Sequence, residues 1–273
     1  MKKIIHISDL HFNRVDQSRV EALHLLIRQI TPNVVVVSGD LTQRAKKEEF
    51  IAAKGFLDGL ELPMLVVPGN HDIPLYNLIE RFYSPLKRYT KFITSDLVPF
   101  YADNEIAIIG LVSARKGKIL SGSISERQLE RAETLLGKLD EKIIKIVVTH
   151  HPFDIPQDTT HTHAQVIAHS TSAMMRLSKI GIDLFLSGHL HVFHAGDTTT
   201  RYVINGYSGL IIHAGTAFST RVRSGPVSFN LITVDAEHII VENYAGNTGD
   251  AGYSIASLTK FTRGKDGWKI VAS

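Results

Sequence analysis

Six short runs of β-branched and aliphatic residues dominate the first two-thirds of this chain, and five of them run directly into a residue able to bind a metal. The runs are Ile4–Ser8, Val34–Ser38, Met64–Val67, Ile106–Leu111, Ile144–Thr149 and Asp183–Ser187. They are nearly continuously apolar rather than alternating, the pattern of strands covered on both faces. Amphipathic segments lie between them. Ser18–Ile30 places Val20, Leu23, Ile27 and Ile30 on one helical face, and Gln43–Leu57 does the same with Phe50, Ala53, Phe56 and Leu57. Helices are also predicted over Glu126–Leu136, with Ser123-x-x-Glu126 or Ser125-x-x-Gln128 as a capping box, and over about Ala164–Lys179. Strand and helix in alternation specify an α/β protein with a largely parallel sheet.

From Tyr202 the pattern changes. Val203–Ile204, Leu210–Ala214, Val227–Val234, Ile239–Tyr244, Tyr253–Phe261 and Trp268–Val271 read as strands joined by turns, so a second sheet packed on the first is expected. No long linker, repeat or low-complexity tract divides the chain, which predicts one domain over 1–273 with a β-rich portion from about 202. The 273 residues suffice for a substantial core. A net charge of +3 with the 30 Lys and Arg spread along the chain gives no compact basic face, and so does not favour nucleic acid. No apolar run is long enough to span a membrane, and Met1–His6 reads as a first strand, not a leader, so a cytoplasmic location is expected.

The polar residues that end the strands carry the chemistry. Asp9 and His11 follow the first run and Gly39-Asp40 the second. Gly69-Asn70-His71-Asp72 follows the third, His150-His151 the fifth, and Gly188-His189-Leu190-His191 the sixth. At the carboxyl ends of parallel strands these loops converge on one rim, where ligands bind. Each piece alone reads equally well as a cap, an Asx-turn or an exposed strand. Taken together they would bury several poor core residues, and a metal satisfies them all. The chain has no cysteine, so the donors are oxygen and imidazole, which suits manganese, iron, zinc or magnesium.

This motif series, over residues 9 to 191, resembles that of the calcineurin-like metallophosphoesterases, and Ser219-Thr220-Arg221 and Ser228-Phe229-Asn230 are similar to the branch containing bacterial cyclic-nucleotide phosphodiesterases. The resemblance implies two facing mixed sheets flanked by helices. Carried over by position, it implies that Asp9, His11 and His191 hold one metal, that Asn70, His150 and His189 hold a second, and that Asp40 bridges them. The ions would be manganese and/or iron, with zinc also open. A hydroxide between them would attack phosphorus, His71 would protonate the leaving alkoxide, and Asp72 would orient His71.

The substrate implied is a small phosphodiester, a 3',5'-cyclic nucleotide first. A phosphomonoester, a glycerophosphodiester, a nucleotide pyrophosphate or a nucleic-acid end would use the same centre, and a non-catalytic scaffold is the reading from another class. A homodimer is left open by the β-rich tail. His151 and His213 are weaker candidates for contact with substrate or ligands. His161-x-His163 lacks a carboxylate in phase, and His6, His24, His169, His194 and His238 lack spacing partners. Arg14, Arg115 and Lys116 are loop cations able to reach a phosphate or to remain solvated.

Overall fold

Two mixed sheets face each other, each covered on its outer side by helices, so the layers run helix, sheet, sheet, helix. The structure is a computed structural model and describes residues 1–117, 120–156, 165–221 and 225–271. In the first sheet β1 (Lys2–Ile7), β2 (Val34–Val37) and β3 (Met64–Val66) are parallel. Beside β1 are added, antiparallel, β10 (Ser228–Val234), β11 (His238–Gly246), β12 (Tyr253–Gly264) and β13 (Gly267–Ile270). The second sheet has β5 (Ile106–Gly110), β6 (Ile144–Val148), β7 (Leu184–Ser187) and β9 (Leu210–His213) in parallel. Its edges are β4 (Phe100–Ala102) and β8 (His194–Asp197), both antiparallel.

Side chains alternate across a strand. Ile4, Val34, Val36 and Leu65 therefore meet Ile106, Ile108, Ile146 and Leu186 between the sheets. Ile5, Ile7, Val35 and Val37 face outward under α1 (Gln17–Ile30) and α2 (Lys47–Leu60). In the other sheet Ala107, Ile109, Val147 and Phe185 pack beneath α5 (Glu126–Leu136) and α6 (Ser170–Lys179). Both faces of each central strand are thus buried, which is why the sequence shows no alternation.

Several expectations change. The β-rich tail does not form a sheet of its own: β9 continues the second sheet beside β7, while β10 to β13 extend the first beside β1. The six N-terminal runs are accordingly divided between the sheets, three to each. Val203–Ile204 is not a strand; only an isolated bridge joins Ile204 to Tyr207. Gln43–Lys46 stays outside α2, because Ala45 has φ 54° and the Glu49 carboxylate accepts from the amides of Arg44 and Lys46. The helix predicted from Ala164 begins at Ser170, after a left-handed His169 (φ 57°), and Ala164 itself lies outside the described residues. α5 occupies the predicted span with Ser125 at its N-cap, but Gln128 turns to Val112, accepting from its amide and donating to its carbonyl oxygen. Two short helices were not predicted, α3 (Leu78–Tyr83) and α4 (Lys87–Phe92). The latter buries Tyr89, whose hydroxyl donates to the Val66 carbonyl oxygen at 2.9 Å.

One polar contact fastens the tail. Asp183, at the start of β7, accepts from the amide of Lys145 and, across the sandwich, from Arg263 Nη2 at 2.9 Å and Trp268 Nε1 at 2.7 Å.

Candidate metal centre

The loops that leave β1, β2, β3, β6 and β7 meet at one end of the sandwich, and they bring together every residue singled out after those strands. Local backbone conformation does much of the aiming. Asp9, His11, Asp40, His189 and His191 all have positive φ, between 48° and 71°. Non-glycine residues rarely adopt this region, and it turns each side chain sharply off its strand. Glycine permits the close approach of neighbouring loops. A Cβ on Gly188 would collide with Ser8 Oγ, and one on Gly69 with the Asp40 carboxylate.

The geometry falls into two overlapping clusters. His191 Nε2 lies 3.1 Å from Asp9 Oδ1, and His11 Nε2 lies 3.7 Å from the same oxygen and 3.3 Å from His191 Nε2. His150 Nε2 lies 3.4 Å from Asp40 Oδ1 and 3.1 Å from Asn70 Oδ1, which is also 3.1 Å from His189 Nδ1. Asp40 reaches both clusters, with Oδ2 3.8 Å from His11 Nε2. Asp9, His11 and His191 could hold one ion, and Asp9, Asp40 and His150 are a second set within reach of one another.

Each imidazole is anchored from behind. The outer nitrogen of His11 faces the Thr42 carbonyl oxygen, that of His150 the Ser38 carbonyl, that of His189 the Leu120 carbonyl and that of His191 the Arg221 carbonyl. A carbonyl only accepts, so each outer nitrogen carries a proton and each inner nitrogen is the one left to bind a cation. Four inner nitrogens then converge on two carboxylates inside the protein, where all six residues are buried. His11 and His191 even point lone pair at lone pair. Asp9 Oδ1 accepts no hydrogen bond from the described residues. A cation removes these repulsions, so the residues fit a metal.

Electrostatics follow from burial. Desolvation lowers His11 and His189 to about 3. For His150 desolvation acts downward too, but Asp40 and Asp9 beside it prevail and hold it at about 9. Asp9 and Asp40 lie below the usual carboxylate range; burial opposes this, and the surrounding histidines outweigh it. Burial, and then the charge of Asp40, push Asp72 up to about 7.

Asp72 does not orient His71, contrary to the expectation. Its carboxylate accepts from the amides of Leu41, Thr42 and Gly69 and from the Thr42 hydroxyl, and so ties the β2 and β3 loops together. His71 Nδ1 instead faces the Gln43 carbonyl oxygen at 2.9 Å, and the His71 amide donates to Asp40 Oδ1. Its Nε2 faces Arg221 Nη1 at 2.6 Å. Arg221 was legible only as part of a branch resemblance; no strand-end pattern marks an arginine eight residues beyond β9. A cavity of about 200 Å3 opens here, lined by Asp40, Asn70, His71, His189, His191 and Arg221.

The remaining candidates separate. His151 is buried, its ring 4.5 Å from that of His189, and Ser113 holds its Nδ1. His213 is buried away from the cavity, against His194. His6 is buried beside Ser38, and His238 is exposed beside Asp235. His161 and His163 lie outside the described residues. Lys116 donates to the Phe82 carbonyl oxygen, whereas Arg14 lines a second cavity next to the first. Among the described residues no helix is long and apolar enough to cross a membrane.

Comparison with known proteins points the same way. The family model for calcineurin-like phosphoesterases matches residues 2–193. A probable glycerophosphodiester phosphodiesterase, GpdQ, from Arcobacter nitrofigilis is 31% identical over 164 residues, which are 56% of this chain and 58% of that protein. A probable cyclic nucleotide phosphodiesterase from Ruthia magnifica is 24% identical over 195 residues, 68% of this chain and 77% of that one. In fold, a dimetal phosphatase from Danio rerio matches with a TM-score of 0.62 at 13% identity, over 89% of this chain and 95% of that one. A purple acid phosphatase from yellow lupin matches with a TM-score of 0.66 at 11% identity, over 95% of this chain and 53% of the lupin protein. The chain therefore spans little more than half the length of the Arcobacter relative and of the lupin enzyme.

Proposed function

The chain belongs to the calcineurin-like phosphoesterase family, and from that premise we propose that it hydrolyses phosphodiesters at a dinuclear metal centre. In this reading Asp9, His11 and His191 would hold one ion and Asn70, His150 and His189 the other, with Asp40 shared between them. The observation that carries it is the set of four imidazoles whose outer nitrogens are fixed on backbone carbonyls while their inner nitrogens converge on Asp9 and Asp40. The oxygen and nitrogen donors suit manganese or iron, with zinc as the alternative. The chemistry supplied by such a pair when bound is charge neutralisation on the phosphoryl oxygens and a water nucleophile at neutral pH.

The chain's own groups do the rest. Arg221 and His71 face the cavity together, and an entering phosphoryl oxygen draws the Arg221 guanidinium onto itself. That uncovers His71 Nε2, which can then take up a proton from solvent and pass it to the leaving oxygen, while the Gln43 carbonyl oxygen accepts from Nδ1 and fixes the ring. Asp72 acts indirectly, by keeping the Gly69–His71 and Leu41–Thr42 segments in register.

Two substrate classes stand in order. 3',5'-Cyclic nucleotides come first, supported by the branch resemblance and by the Ruthia relative's name. Glycerophosphodiesters come second, favoured by the Arcobacter relative's name. One screen tests the reading: the manganese-loaded protein against bis(p-nitrophenyl) phosphate, p-nitrophenyl phosphate, 3',5'-cyclic AMP and glycerophosphoglycerol. Turnover of the diesters is expected. Activity confined to the monoester refutes phosphodiester hydrolysis and leaves the metal ligands standing.

A further inference from the structure

We propose that the protein carries a second anion subsite beside the metal centre, which selects phosphodiesters bearing an additional phosphoryl group. A cavity of about 580 Å3 adjoins the first, with Gln43, Arg44 and Arg221 lining both. Arg14 and Lys46 add two more cations to its wall, and Tyr76 lies beside them. Arg14, Arg44 and Lys46 thus surround a space beyond the scissile phosphate, with Arg221 between it and the metal centre.

Among the described residues Arg14, Arg44 and Lys46 make no salt bridge. The nearby acid, Glu49, is buried and committed elsewhere. One of its carboxylate oxygens accepts from the amides of Arg44 and Lys46 and the other from Asn13 Nδ2, so it shapes the loop beneath the cations. The Arg44 guanidinium lies over Tyr76, 5.4 Å from the ring centroid, which fixes its plane and leaves its N–H edge for an anion. The Arg14 loop is pinned by the Thr220 amide, which donates to the Arg14 carbonyl oxygen at 2.8 Å.

A diester monoanion is already served by the metal ligands, His71 and Arg221. Further like charges held together repel one another unless an anion enters between them. A phosphoryl group meets this requirement best, because it accepts from several guanidinium edges at once. The inference rests on the phosphodiesterase reading but shifts its substrate order, from simple cyclic nucleotides and glycerophosphodiesters to diesters with a second phosphoryl group. Substrates with a neutral second half, such as a simple cyclic nucleotide, leave this subsite to solvent, and a cationic half such as choline is repelled.

Calorimetry on the manganese-loaded protein tests the subsite without turnover. Thymidine 3',5'-bisphosphate is expected to bind at least about tenfold more tightly than thymidine 3'-phosphate, the size of one charge-assisted hydrogen bond in a cleft. That ratio falls towards one in the double variant Arg14→Ala, Lys46→Ala, and as salt is raised. Equal affinities for the two nucleotides overturn the proposal. Hydrolysis of p-nitrophenyl thymidine-3'-phosphate with and without a 5'-phosphate separates the two levels of argument. Equal kcat/KM for both removes the subsite and leaves the phosphodiesterase. Turnover of neither removes the phosphodiesterase, and the calorimetric ratio then decides whether an anion subsite exists at all. Competition assigns the source: stronger inhibition by a 5'-phosphorylated oligothymidylate than by the bisphosphate places the second phosphate in a strand, and the reverse places it in a small nucleotide.

Discussion

Replacing Gly188 by alanine adds one methyl group and is expected to damage both stability and metal uptake. An ideal Cβ there collides with Ser8 Oγ and comes within 2.5 Å of Asp9 Oδ2. Ser8 and Asp9 are both fully buried, so neither can move into solvent. Asp9 Oδ2 accepts from the His189 amide at 3.0 Å, and Asp9 Oδ1 lies 3.1 Å from His191 Nε2. The methyl must push the carboxylate away from one or both. Overpacking of this kind costs about 1–3 kcal/mol. A His189 amide left without its acceptor adds about 1–3 kcal/mol. Together these predict a loss of about 2–6 kcal/mol in the metal-free protein, within the margin of a domain of ordinary stability. The control is Gly55→Ala on α2, where nothing lies within 4 Å of the new Cβ and helix propensity predicts a gain of about 0.5–1 kcal/mol. Urea denaturation gives both values, and metal titration followed by elemental analysis gives occupancy. If Gly188→Ala unfolds at the same urea concentration as the parent and retains its metal, the loops do not pack as described and the aiming of Asp9 does not depend on this approach.

Three further outcomes are expected. Asp183→Ala removes the acceptor shared by Lys145, Arg263 and Trp268 and should cost about 2–5 kcal/mol, with faster amide exchange along β13; exchange confined to the chain terminus would contradict it. His71→Ala should keep its metal and slow turnover by about 10²–10⁴, most for alkoxide leaving groups, and an equal loss with p-nitrophenolate esters would count against proton transfer. His6, buried and held neutral with a value lowered to about 3 by desolvation, binds fewer protons folded than unfolded between pH 6.5 and 3. Stability is therefore complete above about pH 6.5 and falls as pH drops towards 3, by up to about 1.4 kcal/mol per pH unit from this residue. His6→Gln should flatten the measured slope by that amount, and an unchanged slope would locate the acid sensitivity elsewhere.

Much of the candidate site was readable because its residues come directly after strands that must be buried. Asp9, Asp40, Asn70, His150 and His189 each follow an apolar run, and in any parallel arrangement such positions share one end of the sheet. The partners behind those residues were not readable. Thr42, Ser38, Leu120 and Arg221 hold the four imidazoles through backbone carbonyls, and a carbonyl has no sequence signature. The same reason explains the misassignment of Asp72. Adjacency to His71 suggested a pair, yet the carboxylate is turned to amides that the fold supplies from another loop. Arg44 and Tyr76 escaped notice because their role depends on a cavity made by separate loops.

The sequence by itself determined that the central strands are buried on both faces, that helices alternate with them, and that polar residues with metal-binding side chains stand at their ends. Those are consequences of local composition and period. Only the tertiary structure decided how the strands are shared between two sheets, because pairing β1 with β10 and β7 with β9 depends on contacts far apart in the chain. It also decided which imidazole nitrogen faces a carbonyl and that Arg14, Arg44 and Lys46 gather around one cavity, since both depend on neighbours that the linear order does not place together.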